Sequence, residues 1–140
     1  MLTELVIGAN EVGQKGATAL SEALKVNKVL SEFGLAGNPT GNAGAFALAS
    51  ALRLNAALTV LDVRHNSIGT EGGKAIAEAL KVNGGGGTHR VLEEISLMDN
   101  AIGEVGLASL GKAVRANAIT APHLREQAGR SAARVAAPWI

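Results

Sequence analysis

The chain has 140 residues, 47% hydrophobic and 18% charged, which suits one domain with a buried core and excludes a disordered polymer. Thirteen Lys and Arg against twelve Asp and Glu leave a net charge of +1, too little for a dedicated nucleic-acid or polybasic membrane binder. The absence of cysteine excludes a disulfide scaffold and thiolate metal sites, and with only 2% aromatic residues the core must be built from Ala, Leu, Ile and Val.

From the N-terminus, Leu2-x-x-Leu5-x-Ile7-x-x-Asn10 alternates with period two, as a short strand buried on one face does. Ala17, Leu20 and Leu24 then switch to helical spacing, and Asn27 follows the last of them. The same order returns as Leu30-x-x-Phe33-x-Leu35-x-x-Asn38 with Ala45, Leu48 and Leu52, ending at Asn55. It returns again as Leu58-x-x-Leu61-x-Val63-x-x-Asn66 with Gly73, Ile76 and Leu80, ending at Asn83. A fourth copy reads Leu92-x-x-Ile95-x-Leu97-x-x-Asn100 with Leu107, Leu110 and Val114, ending at Asn117. Both asparagine sets, and the glycines Gly13, Gly41, Gly69 and Gly103, are spaced by 28, 28 and 34 residues. These intervals define units 1–27, 28–55, 56–83 and 90–117, with a glycine-rich insertion at 84–89.

After Asn117 the period breaks. The apolar positions of a fifth strand fall on Thr120, His123 and Arg125, whereas Leu124, Ala128, Ala132, Val135 and Trp139 form a weak helical stripe. Residues 118–140 are expected to be a C-terminal helix over the last unit or a frayed tail. A repeat of 28 residues cannot bury its own apolar face, but stacked repeats bury a continuous core. The Asn10 set is therefore read as structural: side-chain amides bridging adjacent coils where the strand bends away. The Asn27 set is read as the left-handed turn leaving each helix.

LxxLxLxxN, a glycine turn, a Gly- and Ala-rich helix and a closing Leu-Lys-x-Asn resemble the long leucine-rich repeat of the ribonuclease-inhibitor type. That repeat is also found in NACHT-receptor sensor regions and Ran GTPase-activating proteins. The resemblance covers residues 2–117. It implies an α/β leucine-rich repeat solenoid, a horseshoe arc of four strand–helix units with a parallel concave sheet and outer helices. It implies a cytoplasmic location as well, in keeping with Met1-Leu2-Thr3-Glu4, which lacks the basic start of a signal peptide.

Motifs for chemistry do not survive inspection. Gly34-Leu-Ala-Gly37-Asn-Pro-Thr-Gly41-Asn-Ala-Gly44 imitates a phosphate loop, yet its last two glycines recur in every unit as the fold's own requirement. Gly69-Thr-Glu-Gly72-Gly73-Lys74-Ala75 is one residue short of a Walker A loop, and Ala75 stands where the magnesium-binding hydroxyl belongs. His65, His89 and His123 form no HExxH or serine–histidine–acid arrangement. Asp62, Arg64, His65, Glu94 and Asp99 gather on neighbouring strands and are read as a solvated ion-pair patch rather than a metal or catalytic site. Asn38-Pro39-Thr40 is barred from glycosylation by its proline. The reading is a non-catalytic chain without cofactor or metal.

The outward strand positions form columns: Glu4, Glu32, Val60, Glu94; Val6, Gly34, Asp62, Ser96; Gly8, Ala36, Arg64, Met98; and Ala9, Gly37, His65, Asp99. Three glutamates in one column repel one another and are not needed for folding, so the face is read either as a site for a basic protein partner or as a solvated acidic face with no partner. The candidate binding residues are Glu4, Glu32, Asp62, Arg64, His65, Glu94, Met98 and Asp99, with neither nucleic acid nor membrane as partner. The alternative is a fragment or spacer of a larger receptor-like or GTPase-regulating repeat protein. Its uncapped ends, including the strand edge at Leu5–Ile7, would favour self-association.

Overall fold

The computed structural model describes residues 1–82 and 91–117. The expected insertion at 84–89 and the helix or tail at 118–140 lie outside the described residues. In chain order the elements are β1 (Glu4–Val6), α1 (Gly13–Val26), β2 (Glu32–Gly34), α2 (Gly41–Leu54), β3 (Val60–Asp62), α3 (Thr70–Lys81), β4 (Glu94–Ser96) and α4 (Gly103–Asn117). The strands form one parallel sheet in sequential order. Its register aligns Glu4, Glu32, Val60 and Glu94, and next to them Val6, Gly34, Asp62 and Ser96. The β3–β4 pairing keeps the same register as the other two pairs, although six more residues separate the third and fourth units.

The alternating strand pattern decides which side faces the core. Phe33, Leu35, Leu61, Val63, Ile95 and Leu97 turn inward and are buried against Leu48, Leu52, Ile76, Leu80, Leu107 and Leu110 from the helices. The helices stack in the same order, α1 on α2, α2 on α3 and α3 on α4. Burial grows along the solenoid: Leu2 is 64% exposed, whereas its equivalents Leu30, Leu58 and Leu92 are 4% or less. This is the stacking of mutually shielding coils that the repeat period requires.

Asn38, Asn66 and Asn100 are buried and act as bridges between coils. The Nδ2 of Asn38 donates to the carbonyls of Ile7 in the preceding coil and Leu35 in its own, while its Oδ1 accepts the N–H groups of Asn10 and Val12. Asn100 repeats this with Val63, Leu97, Asn66 and Ile68. Pro39 breaks the pattern in the second coil. The N–H of Thr40 turns back to Asn38 O, and the Thr40 hydroxyl instead bonds Asn66 Oδ1 at 2.9 Å.

The asparagines closing the helices work differently from the expectation. Asn27 and Asn55 are extended, at φ −74° and −72°, not left-handed. Their Oδ1 atoms accept the N–H groups two and three residues on, Val29 and Leu30 or Ala57 and Leu58, and so turn the chain into the next strand. A short side-chain acceptor supplies here what a left-handed backbone would otherwise provide. The Nδ2 of Asn55 also reaches the preceding coil, at Leu24 O and Asn27 O.

The two recurrent glycines of each unit have separate causes. Gly13, Gly41 and Gly103 adopt φ between +63° and +70°, while Gly69 is extended at φ −91°. The later set is needed for space. A Cβ on Gly16, Gly44, Gly72 or Gly106 would stand 2.4–2.7 Å from the side chain four residues earlier, Val12, Thr40, Ile68 or Ile102.

Candidate protein-interaction surface

The sheet face turned away from the helices is the concave face of the solenoid, and the strand register spreads the candidate residues across it. Glu4 and Glu32 are exposed register neighbours on β1 and β2, held side by side by the parallel pairing. Val60 separates Glu32 from Glu94, so the acidic column has an apolar step at its third position.

Asp62 and Arg64 form the tightest polar contact of the face. The guanidinium Nε lies 2.9 and 3.0 Å from the two carboxylate oxygens, Nη2 lies 2.7 Å from Oδ2, and the Arg64 N–H adds a fourth bond at 3.1 Å. The hydrogen bonds and charge of Asp62 raise the Arg64 pKa above its ordinary value, against a small opposing effect of burial. The guanidinium is thus committed to a residue two positions away on its own coil. Met98 is half-buried opposite, and its carbonyl accepts the N–H of His65.

The fourth column is placed differently from a strand column. Ala9, Gly37, His65 and Asp99 all have φ between +52° and +70° and stand exposed at the turn beyond the strands. There the His65 Nε2 lies 3.3 Å from an Asp99 oxygen, with both side chains more than half exposed. The structure thus brings the candidate residues into two pairs, Asp62 with Arg64 and His65 with Asp99. Glu4, Glu32, Glu94 and Met98 are distributed around them. Among the described residues, no group of three or more His, Asp and Glu is placed to hold a metal ion.

Two depressions flank the centre of this face. One, of about 170 Å³, is lined by Val60, Leu61, Asp62, Arg64, Glu94 and Ser96. The other, of about 160 Å³, is lined by Val6, Glu32, Phe33, Gly34, Val60 and Asp62. Gly34 and Ser96 were not among the residues expected to bind, because a glycine and a serine carry no signal in a column chosen for charge. Ser96 is 7% exposed, and its hydroxyl finds no hydrogen-bond partner among the described residues.

The family model described as Leucine Rich repeat matches residues 1–21, 55–77 and 88–111. Among solved structures, the leiomodin-1 actin-binding site 2 is similar at a TM-score of 0.74 and 26% identity, over 84% of this chain and 66% of that one. The chain thus spans just under two thirds of that leiomodin structure. The tropomodulin C-terminal domain of Caenorhabditis elegans is similar at a TM-score of 0.76 over 98% of this chain and 81% of that one, and at 18% identity the likeness is one of fold alone. Comparison with curated proteins gives no match. The fold is that of a leucine-rich repeat solenoid. Among the described residues, no helix is long and apolar enough to cross a membrane.

Proposed function

We propose that the chain is a non-catalytic recognition module of the ribonuclease-inhibitor repeat type, acting in the cytoplasm and holding a basic protein partner against its concave face. The observation that carries this reading is the distribution of charge on the open sheet. Glu4, Glu32 and Glu94 share one column, and Asp62 and Asp99 add two carboxylates, against Arg64 and His65. The inner face and the bridging asparagines account for folding without them, and a rigid parallel sheet favours a broad protein contact over a small-molecule pocket. Glu4, Glu32, Asp62, Arg64, His65, Glu94, Met98 and Asp99 are the proposed contact residues.

Actin is the named candidate among partners, on the likeness to the leiomodin-1 actin-binding site 2. The competing reading is self-association through the apolar N-terminal end, where Leu2, Leu5, Leu20, Leu24, Leu30 and Phe33 line a pocket of about 120 Å³.

An affinity pull-down with the tagged chain, repeated with Glu32→Lys, Asp62→Lys and Glu94→Lys combined, tests these readings together. Retention of the partner is expected to fall at least about tenfold in the triple variant, because like charges brought face to face oppose binding. Retention that is unchanged removes the concave-face reading. Actin captured equally by both forms assigns actin to another surface, and capture of the untagged chain alone is the signature of self-association.

A further inference from the structure

The residues of the concave face that break the repeat are more informative than those that follow it. Within the acidic column, Val60 interrupts the glutamates between Glu32 and Glu94. Within the next column, Gly34 has no side chain and Ser96 a short one, where Val6 and Asp62 carry larger groups. Each departure removes bulk or charge from one spot. The two spots are the depressions described above, and they share the same central wall of Val60 and Asp62.

The two depressions share part of their chemistry, though Arg64 and Ser96 line only the larger one and Val6 and Phe33 only the smaller. Each has an aliphatic wall from Val60 and a glutamate in its lining, Glu94 in one and Glu32 in the other. Asp62 is already bonded by Arg64 through both oxygens, so this neutral pair forms the wall between the depressions, and the negative charge of each comes from its glutamate. In the larger depression the Ser96 hydroxyl is buried without a partner among the described residues. A buried hydroxyl left unpaired is costly, and an incoming donor would satisfy it.

We propose that these two depressions are paired subsites for two basic side chains, two residues apart on one extended segment of the partner, which crosses the strands. The proposal rests on the reading of the concave face as the partner surface and names its occupant. A lysine or arginine fits both needs: its methylene stem lies along Val60 while its charged head reaches the glutamate. In the larger subsite the head also donates to Ser96 Oγ. Adjacent strands are about 4.8 Å apart, so Glu32 and Glu94, two strands apart, are separated by roughly 9.6 Å along the sheet. Alternate side chains of an extended segment leave it on one face about 6.7 Å apart, a gap that two flexible stems close by diverging. Neighbouring side chains would point to opposite faces, and only one of them would enter.

The test is a fluorescence-anisotropy titration of the full chain with short labelled Gly/Ser peptides. The first carries two lysines two positions apart, an isomer has them adjacent, and an analogue has glutamates in their place. The spaced peptide is expected to bind at least about threefold more tightly than its isomer, and the acidic analogue not at all. Ser96→Val and Gly34→Val fill one subsite each without changing charge and should each weaken the spaced peptide about tenfold, the effect of losing one anchor. Ser96→Ala takes away only a hydroxyl that has no partner among the described residues, so it retains the fold even where the larger side chain does not. It should weaken the spaced peptide about fivefold, one hydrogen bond's worth.

Binding that ignores lysine spacing and all three subsite variants, yet is abolished by the triple charge reversal, overturns the paired subsites and leaves the acidic-face reading standing. Binding untouched by the charge reversal too overturns both, as does preference for the acidic peptide.

Discussion

Along the inner face of the sheet, Leu5, Phe33, Leu61 and Ile95 keep one chemical type from coil to coil, and so do the bridging residues Asn38, Asn66 and Asn100. Along the outer face of the same strands, one row reads Val6, Gly34, Asp62 and Ser96. The backbone geometry is shared, so the difference comes from what each face must do. The inner face has to match a neighbouring coil of nearly the same shape, which makes periodicity obligatory. The outer face is free of that demand, and its side chains vary independently.

The comparison predicts large stability effects for periodic positions and small ones for the concave residues. The largest is expected at Asn66. Its Nδ2 donates to Leu35 O and Arg64 O, and its Oδ1 accepts the Thr40 hydroxyl; the first and last of these bonds are buried and the one to Arg64 O is partly so. Asn66→Ala removes three hydrogen bonds, taking the Thr40 hydroxyl's acceptor away and leaving Leu35 O and Arg64 O with only their bonds to Asn38 Nδ2 and the Gly37 N–H, and should lower unfolding stability by about 3 kcal/mol, read from urea denaturation. A loss below about 1 kcal/mol would mean that the coils are held by apolar packing alone.

The two glycine positions come next, and they sharpen the comparison because their causes differ. A Cβ on Gly44 would stand 2.4 Å from Thr40 Cβ, so Gly44→Ala forces a buried neighbour to move and should destabilise by about 2 kcal/mol. Gly13 is left-handed at φ +63° with open space around the added carbon, so Gly13→Ala should cost about 1 kcal/mol, through backbone strain alone. Thermal melts of the two variants side by side test this order.

The smallest effect is expected on the outer face. Asp62→Asn weakens the pair with Arg64, whose side chains are 24% and 43% exposed, and should change stability by less than about 1 kcal/mol. A larger loss would make this pair part of the framework and blur the division between the two faces.

The coil order, the parallel register and the buried role of Asn38, Asn66 and Asn100 were legible in the sequence, because each is written once per unit and the period exposes it. The concave columns were legible for the same reason: strand alternation fixes which residues point outward. Less was legible wherever one side chain does another's work. Asn27 and Asn55 recur like left-handed caps, but their amide oxygens hold the turn while the backbone stays extended. Asn42 of α2 accepts the N–H groups of Gly69 and Gly72 and so caps the start of α3 from a different coil, a partnership with no local spelling. Ala9, Gly37, His65 and Asp99 continue the alternation in letters but sit in the turn, where alternation no longer applies. The two depressions were invisible for a related reason. They are made by absent bulk at Gly34 and an unmet hydroxyl at Ser96, and neither property belongs to a residue type by itself.

The bridging amides carry a mechanical corollary. The Nδ2 groups of Asn38, Asn66 and Asn100 each take hold of a carbonyl in the coil before their own, at Ile7, Leu35 and Val63. A pull applied at the far end of α4 therefore meets the Asn100 clasp first, and the Asn66 clasp comes under tension only after that one has slipped. Under such a load the arc should peel rather than burst, shedding one turn of the coil at a time in steps of similar length.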